Sequence, residues 1–114
     1  MTRVEPLRIK YEDGTEYTLE FDRASVSYAE THGFSRDDAA NRLMTMLPEL
    51  FYYAFLMHHP EVSREEADKM LFEDLGGLTP SQIERLVSLY NMPYETLVKD
   101  DGKKPKNSKL TVVM

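Results

Sequence analysis

Two adjacent histidines, His58 and His59, and two pairs of adjacent carboxylates, Asp37–Asp38 and Glu65–Glu66, are the side chains best suited to chemistry in this 114-residue chain. Metal binding would require such groups to converge. Neighbouring residues on a helix project roughly 100° apart, so His58 and His59 do not readily share one ion. Helical metal-binding pairs stand at i, i+4 instead. The remaining histidine is His32, and the carboxylate nearest the pair is Glu61. The spacing therefore predicts no metal site and assigns these histidines to a helix end, where they cap terminal carbonyls. The acidic pairs fall in expected first turns, where negative charge complements the helix dipole. Ser25, Ser27, Ser63 and Ser88 lack the surroundings of a nucleophile elbow, and no Gly-rich phosphate loop is present. With no cysteine, thiol catalysis, thiolate metal sites and disulfides are excluded. The sequence predicts neither an enzyme nor a cofactor.

Nucleic-acid recognition is the next chemistry to weigh. The stretch "SREEADKMLFEDLGGLTPSQIERLVSLY" reads as helix, glycine turn, helix, which is the outline of a helix-turn-helix regulator. Its second helix offers Gln82 and Arg85 as base readers, but Glu84 opposes approach and phosphate-binding lysines are missing. Charge argues the same way. Residues 1–98 carry 9 Lys and Arg against 18 Asp and Glu, a balance of −9, while residues 99–114 carry 5 Lys against 2 Asp, a balance of +3. An acidic body disfavours a phosphate backbone. No nucleic acid is expected as a partner, and the DNA-binding regulator is the alternative from a different class.

No membrane is expected either. The start, Met1 to Pro6, has no apolar signal region. The longest apolar run, Leu50 to Met57 within "ELFYYAFLMHHP", is far shorter than the ~20 residues that cross a bilayer. The run must then be a core or a contact surface.

The elements that position these residues are well marked. "LRIKYEDGTEYTLEF", Leu7–Phe21, alternates apolar and polar residues on both sides of Asp13-Gly14 and predicts a β-hairpin. Asp22, Ser35, Ser63 and Thr79 each offer an N-cap oxygen, and each lies between apolar residues spaced for a hydrophobic staple. Ser63 with Glu66 and Thr79 with Gln82 complete capping boxes, and Pro80 stands at the favoured first position. Gly33, Pro60 and Gly76-Gly77 are stops. These signals predict helices over about 22–32, 36–58, 63–75 and 80–91, with a kink or split at Pro48 and a further short turn at Pro93. The fold class is α+β: an N-terminal β-hairpin followed by a small bundle of four to five α-helices. Residues 1–98 form one globular domain, with the hairpin over 7–21 and the helical part over 22–98. Residues 99–114 form a basic, flexible tail whose end, Leu110 to Val113, is β-prone.

On the helix around residue 50, Leu43, Leu47, Leu50, Ala54 and Met57 make one stripe, with Phe51 and Phe55 beside it. Tyr52, Tyr53 and Leu56 occupy faces that would be polar on a monomer's surface. A helix apolar all round is buried all round, by its own domain or by a partner. Phe51, Tyr52, Phe55 and Leu56 are therefore candidate partner-binding residues, and Leu110, Val112 and Val113 are candidates for adding a strand to a hairpin edge. Several methionines, among them Met44, Met46, Met57 and Met70, suit adaptable contacts.

"FDRASVSYAETHGF" (Phe21–Phe34), "ELFYYAFLMHHPEVSREEADKMLFEDLGGL" (Glu49–Leu78) and "IERLVSLY" (Ile83–Tyr90) resemble a family of small tail assembly chaperones from siphophages and prophages of Gram-positive bacteria. The resemblance runs over residues 5–98. It implies a non-enzymatic protein that binds the tape measure protein, keeps it soluble in the host cytoplasm, brings tail tube protein onto it, and is absent from the mature virion. It also implies self-association into a homo-oligomer and, in many members, a longer frameshifted form. Asp101-Gly102-Lys103-Lys104 is where slippery codons could lie. A structural tail protein retained in the virion is the alternative within the same setting.

Overall fold

The computed structural model describes residues 4–39, 41–97, 110 and 112–114. It shows the α+β architecture, a two-stranded antiparallel hairpin followed by four helices. β1 is Leu7–Lys10 and β2 is Glu16–Leu19, paired as Leu7 with Leu19, Arg8 with Thr18, Ile9 with Tyr17 and Lys10 with Glu16. Five residues, Tyr11 to Thr15, connect the strands. Tyr11 N–H bonds the Thr15 carbonyl at 2.8 Å, and Gly14 N–H returns to the Tyr11 carbonyl at 3.0 Å. Gly14 has φ 97°, the left-handed conformation that closes such a turn and that a side chain resists. The register puts Leu7, Ile9, Tyr17 and Leu19 on one face, and Leu7 and Leu19 reach the core.

The helices are α1 (Arg23–Thr31), α2 (Leu43–Tyr53), α3 (Arg64–Lys69) and α4 (Pro80–Glu95). Three begin where the sequence places a cap. Asp22, Ser63 and Thr79 each accept from the third backbone N–H of the first turn, and the side chains of Ser25, Glu66 and Gln82 accept from the N-cap N–H in return. α3 runs directly into a π-helical turn, Met70–Asp74, in which Leu75 N–H bonds the Met70 carbonyl at 2.7 Å. Gly76 and Gly77 follow with φ of 67° and 98° and end the element.

Two helix expectations need correction. No continuous helix spans 36–58. Residues 36–39 form turns, and α2 starts only at Leu43, behind Arg42, which gives no side-chain cap. The stretch Arg36–Arg42 has almost nothing apolar to bury, so no core face draws it into a helix. α2 ends at Tyr53, and residues 54–58 continue as turns. Pro48 lies inside α2 and forfeits the bond its N–H would have made to the Met44 carbonyl. The second correction is at Pro93, which starts no separate turn: α4 passes through it to Glu95.

α2 is the centre of the bundle and touches α1, α3 and α4. Phe51, Ala54 and Phe55 are fully buried, together with Leu19, Ala29, Ala67 and, from α4, Leu86, Leu89 and Tyr90. The aromatic rings meet edge to face: Phe51 with Phe55 at 5.2 Å, Phe55 with Tyr17 at 5.7 Å, and Tyr90 with both Phe21 and Phe34. Arg64 ties α3 to α2, lying 3.1 Å from Glu49 and 2.9 Å from Asp68. The linker expected over 99–109, including the Asp101–Lys104 stretch, lies outside the described residues.

Candidate functional site

The histidines serve the fold. His59 Nε2 accepts the Thr18 N–H at 2.9 Å, and His58 Nε2 lies 2.8 Å from Glu20 Oε1. Both therefore fasten the turn after α2 to the outer edge of β2, where Glu20 N–H also bonds the Ala54 carbonyl at 3.0 Å. Carbonyl capping falls to His32 instead, whose Nδ1 is 2.8 Å from the Tyr28 carbonyl. Among the described residues no three His, Asp or Glu side chains gather as a metal site would require.

The four aromatic and apolar candidates of the central segment are divided by the fold. Phe51 and Phe55 point into the core and present no surface to a partner. Tyr52 and Leu56 are half-buried and pack against the rim of that core. Of this segment, Tyr52 and Leu56 reach the surface in part, with Met57 partly exposed beside them. On the same helix, Met44 is 84% exposed at the first turn. Val112 and Val113 are exposed, as is Leu110, and none of the three belongs to a strand.

An apolar recess between α1 and the end of α4 was not foreseen. α1 presents Arg23, Ser27 and Glu30 at i, i+4 and i+7, with Val26 behind them. Because α4 continues through Pro93, it sets Pro93, Tyr94 and Leu97 opposite. Between the two lies a groove of about 290 Å³. Its ends are closed by polar bonds: Arg23 Nε donates to Thr96 Oγ1 at 3.0 Å, and the Tyr94 hydroxyl donates to Glu30 Oε1 at 2.7 Å. The Arg36 guanidinium lies 4.3 Å from the Tyr94 ring centre and donates to Asn91 Oδ1 at 3.2 Å. Burial, and then the bond to Glu30, raise the Tyr94 phenol above its ordinary range, so it stays a neutral donor. Leu97 is 75% exposed at the groove's lip.

A hairpin followed by four helices, with an apolar groove between the first helix and the end of the last, defines a small α+β fold. The chain belongs to the family described as Domain of unknown function (DUF5055), which matches it over residues 1–114. No curated protein and no solved structure matches it.

Proposed function

We propose that this chain is a non-catalytic tail assembly chaperone that holds amphipathic helical segments of a phage tape measure protein and delivers them to the tail tube protein. The observation that supports this reading most strongly is the α1–α4 groove, with Val26, Pro93, Tyr94 and Leu97 as its apolar lining and Arg23 and Glu30 at its ends. An amphipathic helix laid into such a groove gains affinity from its apolar stripe and direction from the charged ends. Tyr52 and the exposed Met44 on α2, with Leu56 in the turn after it, offer further apolar surface. The acidic body, −9 over residues 1–98, keeps the chaperone soluble while that surface is uncovered. Such a protein works in the host cytoplasm and leaves before the virion is complete.

Co-expression tests the reading. The tape measure protein from the same tail gene cluster should move into the soluble fraction with the wild-type chain and remain insoluble with Leu97→Asp. Leu97 is too exposed for its replacement to unfold the body. Solubility that does not depend on this chain would refute the chaperone reading. Recovery of the chain from purified virions in stoichiometric amount would make it a structural tail protein instead.

A further inference from the structure

α3 and the π-helical turn after it carry an outer face that the bundle leaves uncovered. Ala67, Met70 and Leu71 are the buried side chains of this stretch. Phe72, in the middle of the π turn, is 53% exposed, and Leu75, which closes the turn, is 42% exposed. Two large apolar side chains on one turn are costly to leave in water, and aromatic rings are enriched where proteins meet. Phe72 borders an open basin of about 590 Å³ whose other walls include Glu65, Glu66, Asp68 and Glu73. The charge around it is one-sided. From Glu61 to Asp74 the chain has six Asp and Glu against two Lys and Arg, a balance of −4. Both cations are committed inside the fold. Arg64 lies 3.1 Å from Glu49 and 2.9 Å from Asp68, and Lys69 Nζ donates to Asp74 at 3.1 Å. Glu66 is engaged in its capping box with Ser63. Among the described residues Glu65 and Glu73 make no hydrogen bond or ion pair, and both are exposed.

We propose that this face docks a basic amphipathic segment of another protein, a stretch in which lysines or arginines flank a large apolar side chain. Charge complementarity selects this occupant. Its apolar side chain lies against the Phe72 ring, a cation beside it faces the same ring, and further cations answer Glu65 and Glu73. The same carboxylates repel nucleic acid and anionic lipid. They also repel the body of a second copy, which carries −9 over residues 1–98. π-helical turns recur at functional sites, and here one sets the exposed aromatic ring among the carboxylates. The face shares no lining residue with the α1–α4 groove and does not depend on the client proposed for it.

Backbone NMR on the full chain tests this by titration with a synthetic peptide of about 14 residues, leucines at i, i+3, i+4 and i+7 and lysines elsewhere. Amide shifts should saturate at Glu65, Lys69, Phe72 and Glu73. Phe72→Ser should weaken binding roughly tenfold or more. Glu65→Gln combined with Glu73→Gln, two changes in water that leave the packing alone, should weaken it as well and flatten its salt dependence. Asp37→Asn combined with Asp38→Asn removes as much charge elsewhere and should leave binding at this face unchanged, as should Leu97→Asp in the groove. Equal weakening by the Asp37 and Asp38 changes would reduce the effect to general charge attraction and overturn the proposal. Unchanged affinity in Phe72→Ser, or shifts confined to other surfaces, would overturn it too. So would a wild type whose self-association is lost in Phe72→Ser, because the face would then belong to a second copy. A failed titration here leaves the chaperone reading standing, and a failed chaperone assay leaves this face standing.

Discussion

At His59 a ring nitrogen does the work of a strand, accepting a main-chain N–H from Thr18 that would otherwise be stranded at the edge of β2. Replacing it with Ala leaves that donor without a partner and should lower unfolding free energy by about 1–3 kcal/mol. His59→Gln, which restores an acceptor, should recover part of the loss in urea denaturation. Equal losses for the two variants would show that ring packing on Tyr17, 5.1 Å away, matters more than the bond. The sequence identified the histidines as structural but misjudged what they hold, because the acceptor's partner lies 41 residues away and no local pattern encodes that pairing. The same limit applies to Phe51 and Phe55. An apolar girdle shows that a segment is covered, and only the packing of the other elements shows on which side. Phe55→Ala should cost about 3–5 kcal/mol, whereas Leu56→Ala, at a half-buried position, should cost about 1 kcal/mol. A reversed order would move Phe55 out of the core.

Among the elements, the hairpin and the starts of α1, α3 and α4 were legible because their signals are local: alternation around Asp13-Gly14, and N-cap oxygens answered three residues later. Asp22→Ala should destabilise by about 1 kcal/mol through the loss of its cap, measurable as a shift in denaturation midpoint. No change would mean that the Ser25 hydroxyl carries that turn. The segment after Ser35 misled for a physical reason. It has a cap and a staple, but its next residues hold little apolar surface, and Arg36 is drawn to Tyr94 and Asn91 on α4. Pro93 misled in the opposite direction. One missing bond ends a helix only if nothing else holds it, and here Tyr94 to Glu30 and Thr96 to Arg23 pin the last turn to α1. That extension builds the groove, so the site lay beyond where the sequence ended α4.

For the molecule as a whole, its tyrosines offer a readout of integrity. The Tyr11 hydroxyl, bonded to Asp74, and the Tyr53 hydroxyl, buried in the bundle, are each pushed up to about 12. Burial carries Tyr90 higher still. Folding holds these protons above the pKa near 10 of an unfolded tyrosine. Their contribution to stability is therefore complete below about pH 10 and is lost as the pH rises through about 12. Ultraviolet titration should show an early tyrosine step and a late one coinciding with loss of helicity. A single step near pH 10 with the fold intact would contradict the packing described. At the acid end, Asp74 is held below the usual carboxylate range by Tyr11 and Lys69. Its share is present above the unfolded value near 4 and fades as the pH falls through the lowered one.

If the α1–α4 groove receives a helical client, as proposed, backbone NMR during titration with amphipathic segments of the tape measure protein should reveal it. Saturable shifts should concentrate on Val26, Ser27, Glu30, Tyr94 and Leu97 and disappear in Leu97→Asp. Shifts confined to other surfaces, or none with any segment, would show that the groove takes no such client.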